Sequence, residues 1–533
     1  MSHIAALDQH DELDAILART ALKYDLLPYT SNPFPQSHPG RLSAVATLFG
    51  LETAPLATAR VLELGCAGGG NVIPLAVAYP DARFVGVDLS RTQIAAGRAR
   101  IARLGLANIE LQCQSFTELG AEDGEFDYIV CHGVYSWAPA PVREAILKIC
   151  GQRLSAQGVA YVSYNVLPGW RMLQTARDIC LLAAADQSDP RQRVAQARAV
   201  MAFVKEHGLA PTGPYKQALD GLCDLIANQP DDYIAHEFLE EVNEPCTFSA
   251  FAAAAGREGL GFLGEVEIAS MAPENYPAQT AAKLREVAND QVLATEQYLD
   301  LLNGRTFRQS LLVHAARWPQ IDRKVADVRL EPLHVLGRGD LALRRDDAGV
   351  CTLADSAGRS LTTTSAAVGE ALGRLVERFP ASSNLDDLLA DAPQAERTEE
   401  NRALLRDALL KMALNGLVAT TSAPVAASPA PSETPKVWAL VADDARRGAA
   451  HTTNLRHERV ELDAVAHVLL PALDGETSSE ALADLLVRAG QDGRLSFAKE
   501  GVPVRDAAAM RPIAEEQTAV YLQRFARCAL LTG

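Results

Sequence analysis

The chain has 533 residues, 48% of them hydrophobic and 22% charged, and carries a formal net charge of −17. That length accommodates roughly three or four domains of ordinary size, and the acidic balance argues against a broad phosphate-binding surface, so nucleic acid is not an expected partner. Nine cysteines, odd in number and without a CxxC pair, argue against a disulfide framework or a zinc knuckle, and no metal site is expected.

Residues 1–50 read as an N-terminal arm or lid. The opening stretch carries acids where a secretory leader needs bases before an apolar run, and no window of about 18 uncharged apolar residues follows anywhere in the chain. No membrane partner and a cytoplasmic location are therefore expected. A short helical pattern precedes Tyr29-Thr-Ser-Asn-Pro-Phe34-Pro-Gln-Ser-His38-Pro-Gly-Arg41, too rich in proline and aromatic residues for a helix. It predicts an ordered extended loop before a helix near Arg41.

Residues 51–180 alternate short apolar runs with helical patterns. The runs are Arg60–Leu64, Arg83–Val87, Ile109–Gln112, Phe126–Val130 and Gly158–Ser163, with helices expected at 70–79, 91–104 and 141–154. Short buried strands alternating with helices predict an α/β fold with a doubly wound, mainly parallel sheet. Residues 181–325 lose the strand signal and read as an α-rich unit, with a long helical pattern from Ala278 to Asn303 and another beginning near Arg305. Residues 326–420 mix expected strands at Val328–Leu330, Leu341–Arg345 and Gly349–Leu353 with helices at 364–379, 385–391 and 399–415. Residues 421–436 form a Pro/Ala/Ser linker, expected to be mobile and partly extended. Residues 437–533 repeat the order of the segment before the linker, Arg459–Leu462 matching Arg359–Thr362 and Thr477–Leu486 matching Ser382–Leu389. Two winged-helix-like units are expected.

The strongest chemical signal is Val61-Leu-Glu63-Leu-Gly65-Cys66-Ala67-Gly68-Gly-Gly-Asn71, a strand that ends in a glycine-rich turn before a helix. Such a turn brings backbone N–H groups close to a ligand. A pyrophosphate would suit that geometry, but Glu63 just ahead of the turn suits a cationic group instead. The second strand ends in Val85-Gly-Val-Asp88-Leu89-Ser90, with Asp88 placed 23 positions after Gly65, the spacing of an acid that grips ribose hydroxyls.

Together these residues resemble the class I methyltransferases, whose pattern is E/DxGxGxG followed by an acid ending the second strand. The resemblance implies S-adenosyl-L-methionine as cofactor, bound by Glu63, Gly65, Cys66 through its backbone, Ala67, Gly68, Asn71, Asp88 and Leu89. Two departures stand out: Ala67 replaces the middle glycine, where a positive φ carries a cost, and Gln114-Ser115-Phe116 stands where many relatives place an Asp facing the adenine amine. Ser115 and Phe116 are the expected substitutes. Three blocks, Pro28–Pro39, Tyr161–Trp170 and Asp232–Glu240 with Gly304–Arg308, resemble the bacterial methyltransferases with a methyltransferase regulatory domain, a group that includes rickettsial protein lysine methyltransferases. This narrower resemblance spans about residues 25–320 and implies a protein lysine acceptor.

Methyl transfer by in-line displacement needs alignment and desolvation rather than a covalent nucleophile, and a lysine acceptor must first lose a proton. His132, Tyr135, Trp137, Tyr164 and Asn165, at the ends of the fourth and fifth strands, are the candidate catalytic lining. Tyr135 or His132 is the candidate to receive the proton or hold the amine. Tyr29, Phe34 and His38 are expected to close over the cofactor, with His132 also in reach of it. Each has a plainer reading: Trp137 as core, His132 as a packed ring, Asn165 with Pro168 as a turn, and the 29–38 segment as an arm packed on the sheet. His236 reads as structural. The competing functions are a small-molecule methyltransferase, a cofactor-binding scaffold without catalysis, and a dinucleotide-binding fold. The acceptor, the number of methyl groups added and the oligomeric state are left open by the sequence.

Overall fold

The computed structural model describes residues 2–120, 124–208, 212–390, 393, 397–499 and 501–532. Helix α1 (Ser2–Leu26) leads through the extended segment 27–38 into α2 (Pro39–Leu48). The core then alternates β1 (Arg60–Leu64), α3 (Val72–Ala78), β2 (Arg83–Asp88), α4 (Arg91–Leu104), β3 (Ile109–Cys113), β4 (Phe126–Cys131), α5 (Ala140–Arg153) and β5 (Leu154–Asn165). The central strands β1, β4 and the second half of β5 are buried almost throughout because helices cover both sides of the sheet, and Phe84, Tyr128, Ile129 and Tyr161 are fully buried. Helix α4 shows how local sequence sets the boundaries. The Ser90 hydroxyl accepts the Gln93 N–H at 3.2 Å to cap its start, and Gly105, at φ 65, ends it in the left-handed region.

The sheet has seven strands in the order β3-β2-β1-β4-β5-β7-β6, adding β6 (Leu260–Glu265) and β7 (Phe307–His314) to the five expected ones. β1 to β5 pair in parallel, and β7 runs antiparallel to both β5 and β6. The last two strands fall in the α-rich stretch, where no strand was expected. Phe307–His314, read as the start of a helix near Arg305, is a strand paired on both sides, and the long pattern over 278–303 breaks at Asn289 and Asp290, both at positive φ, into α11 (Ala278–Ala288) and α12 (Val292–Asn303). Between β5 and β6 lie α6 (Arg171–Ala183), α7 (Pro190–His207), α8 (Pro214–Asn228), α9 (Asp231–Phe238) and α10 (Phe248–Arg257). The first four bury Ala176, Cys180, Val194, Met201, Ile226 and Phe238 among themselves.

The C-terminal part holds two segments that each mix short strands with helices. In the first, His334–Leu336 pairs with Ser382–Ser383 and Ala419–Thr421. In the second, bridges join Lys436 to Asp474 and Val437 to Leu531. Between these pairings the first holds a three-stranded antiparallel sheet (Ala342–Arg345, Cys351–Ala354, Ser360–Thr363) and three helices, and the second holds two hairpins and four helices among the described residues. Residues 328–330, expected as a strand, form part of a 3-10 turn, Asp327–Leu330. The linker is irregular but fixed: the N–H groups of Ser422, Val425 and Ser428 donate to the Gly40 carbonyl, the Ser382 hydroxyl and the Leu531 carbonyl, and Ala423 and Ala427 are buried. The last segment docks on the core through Arg100 of α4, whose guanidinium reaches both oxygens of the buried Asp444 at 2.8 and 2.6 Å. Among the described residues no helix is long and apolar enough to cross a membrane.

Candidate functional site

β1 ends at Glu63 and Leu64, and the chain turns back so that the N–H groups of Gly65 and Cys66 both donate to the Val87 carbonyl, at 2.8 and 3.2 Å. Gly65 sits at φ 79, and a Cβ there would collide with the Val134 side chain. Ala67 also adopts a left-handed backbone, φ 49, although alanine bears a cost for it. Its N–H donates to Asp88 Oδ2 at 2.9 Å, and the Ser90 N–H donates to Oδ1 at 2.9 Å, so the acid ending β2 fastens the glycine turn. Burial raises the Asp88 carboxyl above its ordinary range against the pull of these N–H groups. Leu89, half-buried, follows at the strand end, and its carbonyl faces Cys113 Sγ at 3.6 Å. Cys66 buries a thiol that desolvation pushes well up, consistent with a backbone role.

Glu63 is 4% exposed. Its Oε1 accepts from Asn71 Nδ2 at 2.8 Å, while Oε2 is buried with no hydrogen-bond partner. Desolvation pushes the carboxyl up to about 8, the Asn71 bond pulling the other way and Asp88 adding to the rise. A buried carboxylate oxygen lacking a partner is costly in isolation and fits a cationic amine. Asn71 itself is consumed by protein: Oδ1 accepts the Phe34 N–H at 2.8 Å, and Nδ2 also reaches Ser37 Oγ at 3.0 Å. The side chain expected at the cofactor thus links Glu63 to the covering segment.

The extended segment 27–38 lies over the turn. The Gly70 N–H donates to Ser31 Oγ at 2.7 Å, and a Cβ on Gly70 would run into the Ser31 carbonyl, so only glycine permits this approach. Phe34 covers His132, ring centroids 3.9 Å apart. Tyr29 meets His236 edge-on at 5.6 Å, and its carbonyl accepts from Gln93 Nε2 at 3.3 Å. His38 departs from its expected place: it caps α2, accepting the Gly40 N–H on Nδ1 at 3.1 Å, and its ring lies between Tyr79 and His457. Ser115 departs too. Its hydroxyl closes the 3-10 turn Phe116–Glu118 by accepting the Thr117 N–H, while its own N–H donates to Glu118. Phe116 is buried beside it.

The expected catalytic lining divides. His132 is held by Tyr161 Oη at 2.7 Å on Nδ1, and burial drives its pKa down to about 3, which leaves a neutral, weakly basic ring. Tyr135 and Tyr164 belong to an aromatic core with Phe251: Tyr164 stacks on Phe251 at 4.0 Å and its hydroxyl bonds Ser310 at 3.2 Å. Burial pushes Tyr135 up to about 12, so neither tyrosine is a ready base. Asn165 receives no proton either, but it frames the strand end: its N–H donates to Ser136 Oγ at 2.8 Å and its side-chain amide to Asn243 Oδ1 at 3.3 Å. Trp137 packs edge-on against Trp170 at 6.1 Å, with the Arg177 guanidinium 5.9 Å from its ring.

Sequence reasoning missed the residues that α9 supplies. Beside it Tyr24 of α1, half-buried, stacks on His236 at 4.7 Å, and burial together with the nearby Glu240, Asp88 and Glu237 holds its hydroxyl well above the ordinary range. Glu237 is raised to about 7 by burial, Arg177 pulling it down, and its charge is felt by Tyr29 and Tyr233. His236 is structural, as expected, bonded to Glu240 and to the Leu27 carbonyl.

Known proteins share this architecture. Residues 61–158 match a methyltransferase domain, 230–314 a predicted methyltransferase regulatory domain, and 433–530 the PKMT C-terminal winged helix domain. The uncharacterized protein RP789 of Rickettsia prowazekii (strain Madrid E) is 33% identical over 521 residues, covering 95% of this chain and 93% of that protein. RP028 of the same organism is 35% identical over 242 residues, 45% of this chain and 97% of that one. The solved structure of PKMT2 from Rickettsia typhi in complex with AdoHcy is 28% identical, covers 95% of this chain and 100% of its own, and superposes with a TM-score of 0.84.

Proposed function

We propose, from the premise that this chain belongs to the S-adenosyl-L-methionine-dependent methyltransferases with a regulatory domain and a C-terminal winged helix, that it methylates lysine side chains of proteins. The observation that carries this reading is the acid and aromatic cluster that α9 sets against the segment covering the glycine turn, where Thr30 donates to Asp232 at 2.5 Å and Tyr29 meets His236 at 5.6 Å. Glu237, near neutrality in its pKa, stands with Tyr29 and Tyr233 where an ammonium group gains from both. A carboxylate tuned to about 7 receives a lysine proton at working pH better than the His132 ring, held at about 3. The full-length likeness to a solved PKMT2 supports the same substrate class.

The residues present fit the cofactor. The unpartnered Glu63 Oε2 suits its cationic amine, and Asp88, with lone pairs left beside the two N–H bonds, suits ribose hydroxyls. When bound, S-adenosyl-L-methionine supplies a methyl group activated on a sulfonium. The chain contributes orientation at Glu63 and Asp88, shelter under Phe34 and Tyr29, and a proton acceptor at Glu237. Exclusion of water by the 27–38 segment strengthens each of these interactions.

Because a cation selects the ionised form of Glu63, cofactor binding below about pH 8 requires loss of its proton. Affinity is expected to rise with pH, by up to about tenfold per unit from roughly pH 6 to 8, and then to level off. Calorimetry in buffers of different ionisation heat reads the released proton directly, and a flat profile would remove Glu63 from the cation site.

Transfer of labelled methyl groups to bacterial proteins, resolved on a gel and mapped by mass spectrometry, tests the acceptor. Label on lysine is the expected outcome. Label confined to small molecules would overturn the protein reading, and no transfer with intact cofactor binding would favour a scaffold.

A further inference from the structure

We propose that His457 is a positioning residue for the cofactor site, carried into the core by the hairpin of the C-terminal winged helix. Resting on the reading of Glu63 as the cation-holding acid, the inference concerns what holds Glu63 in place. The hairpin strands His451–Thr453 and Arg459–Glu461 join through a turn in which His457 stands at φ 62. A non-glycine residue held there is strained, and such strain persists only where the surroundings enforce it.

The surroundings do enforce it. Asn454 Oδ1 accepts the N–H groups of Arg456 and Glu458, each at 2.8 Å, and its Nδ2 reaches the Cys528 carbonyl at 2.9 Å. Arg456 donates to the Pro380 and Gly337 carbonyls at 3.1 and 2.9 Å and lies 5.2 Å from the Phe379 ring. Arg459 reaches over to Asn32 Oδ1 at 2.8 Å, holding the segment that covers the glycine turn. Thr452 Oγ1 donates to the same Asp444 that Arg100 clamps.

The tip so fixed brings His457 Nε2 to 2.7 Å from Asn71 Oδ1. The Asn71 amide has one orientation that satisfies its neighbours. The Phe34 N–H can only donate, so it needs the oxygen, and Glu63 Oε1 is met by the nitrogen. His457 must therefore donate from Nε2, and it remains neutral because burial and the neighbouring His38 hold its pKa well below the ordinary histidine value. His457 fixes Asn71, Asn71 fixes Glu63, and Glu63 Oε2 is left to face the ligand. The C-terminal unit thereby completes a site otherwise built by the first ninety or so positions of the chain.

The test uses the full-length protein and S-adenosylhomocysteine as probe, with affinity measured by calorimetry from pH 6 to 9. His457→Phe keeps the ring volume and removes the donor, and affinity is expected to fall roughly 5- to 30-fold, the loss of one buried hydrogen bond. The proton released from Glu63, whose other close titratable neighbours are Asp88, Cys66 and Cys131, should appear at higher pH as the Asn71 bond loosens. His457→Gln, which restores an amide donor, should return both affinity and pH profile to within about threefold of the parent. If His457→Phe binds as tightly as the parent with the same profile, or if His457→Gln behaves like His457→Phe, the proposal is overturned. Glu63→Gln separates the two readings. Weakened binding there with unaltered binding in His457→Phe defeats the positioning role alone, whereas unaltered binding in Glu63→Gln defeats the reading of Glu63 itself.

Discussion

Replacing Arg308 with alanine is expected to destabilise the protein by about 3–5 kcal/mol, because it strands buried carboxylates rather than merely deleting a contact. Arg308 is fully buried in β7. Its Nε lies 3.0 and 2.9 Å from the two oxygens of Asp300, Nη1 lies 2.8 Å from Glu265 and 3.0 Å from Glu296, and Nη2 donates to the Glu296 carbonyl at 2.8 Å. Its guanidinium also lies 4.1 Å from the centre of the Phe248 ring. These partners come from β6 and α12, so the one side chain joins the sheet edge to the regulatory helices. Arg305 remains near Asp300 at 3.4 Å, too little positive charge for three acids. Burial already raises Glu296 to about 7 with Arg308 present. A carboxyl with a raised folded-state pKa holds more protons folded than unfolded, so its contribution to stability diminishes as pH rises through that value. The alanine variant should accordingly recover part of its loss when pH is lowered from about 8 to 6. Thermal unfolding across that range checks both statements. A shift under about 1 kcal/mol, or none of the acid recovery, would show that the cluster is not held by this cation.

The second large effect is on ligand affinity. Asp88→Ala is expected to weaken cofactor binding by ~1–3 kcal/mol, read as Kd by calorimetry. Two contributions act together: the acceptor proposed for the ribose hydroxyls is lost, and the Ala67 and Ser90 N–H groups lose their partner. Ala67, held at φ 49 in part by that bond, would then relax and loosen the glycine turn. Asp88→Ala combined with Ala67→Gly separates the contributions, since glycine takes the same backbone conformation without cost. Affinity regained by the second change measures the turn, and what stays lost measures the ligand contact. Unchanged affinity in the single variant would remove Asp88 from the site.

In the sequence β1 to β5 are legible because each is a short apolar run closed by a charge or a turn residue, the pattern of strands covered on both faces. β7 is not legible. Arg308-Gln-Ser310 puts three polar residues near its start, and only the surrounding carboxylates, supplied from Glu265, Glu296 and Asp300, make their burial tolerable. β6, with Gly261 and Gly264 in six residues, resembles a loop until it is paired. Glu63, Asp88 and the turn between them can be found because spacing along one βαβ unit fixes their relation in space. The packing of Tyr164 is not legible because a position at a strand end says nothing about which face of the sheet it occupies; its ring lies against Phe251. The burial of His132 is not legible, because the Phe34 ring that covers it lies almost a hundred residues earlier. No local signal marks His457, which meets Asn71 across 386 positions.

The hairpin that reaches Asn71 also bears on how such a polypeptide is made. Translation releases the glycine turn long before residue 457 leaves the ribosome, so a nascent core lacks the imidazole that its asparagine awaits. Arg459 and Asn32 meet on the same schedule. With that asparagine unanchored, an unfinished molecule cannot grip the methyl donor fully, and full competence arrives with the segment that carries His457.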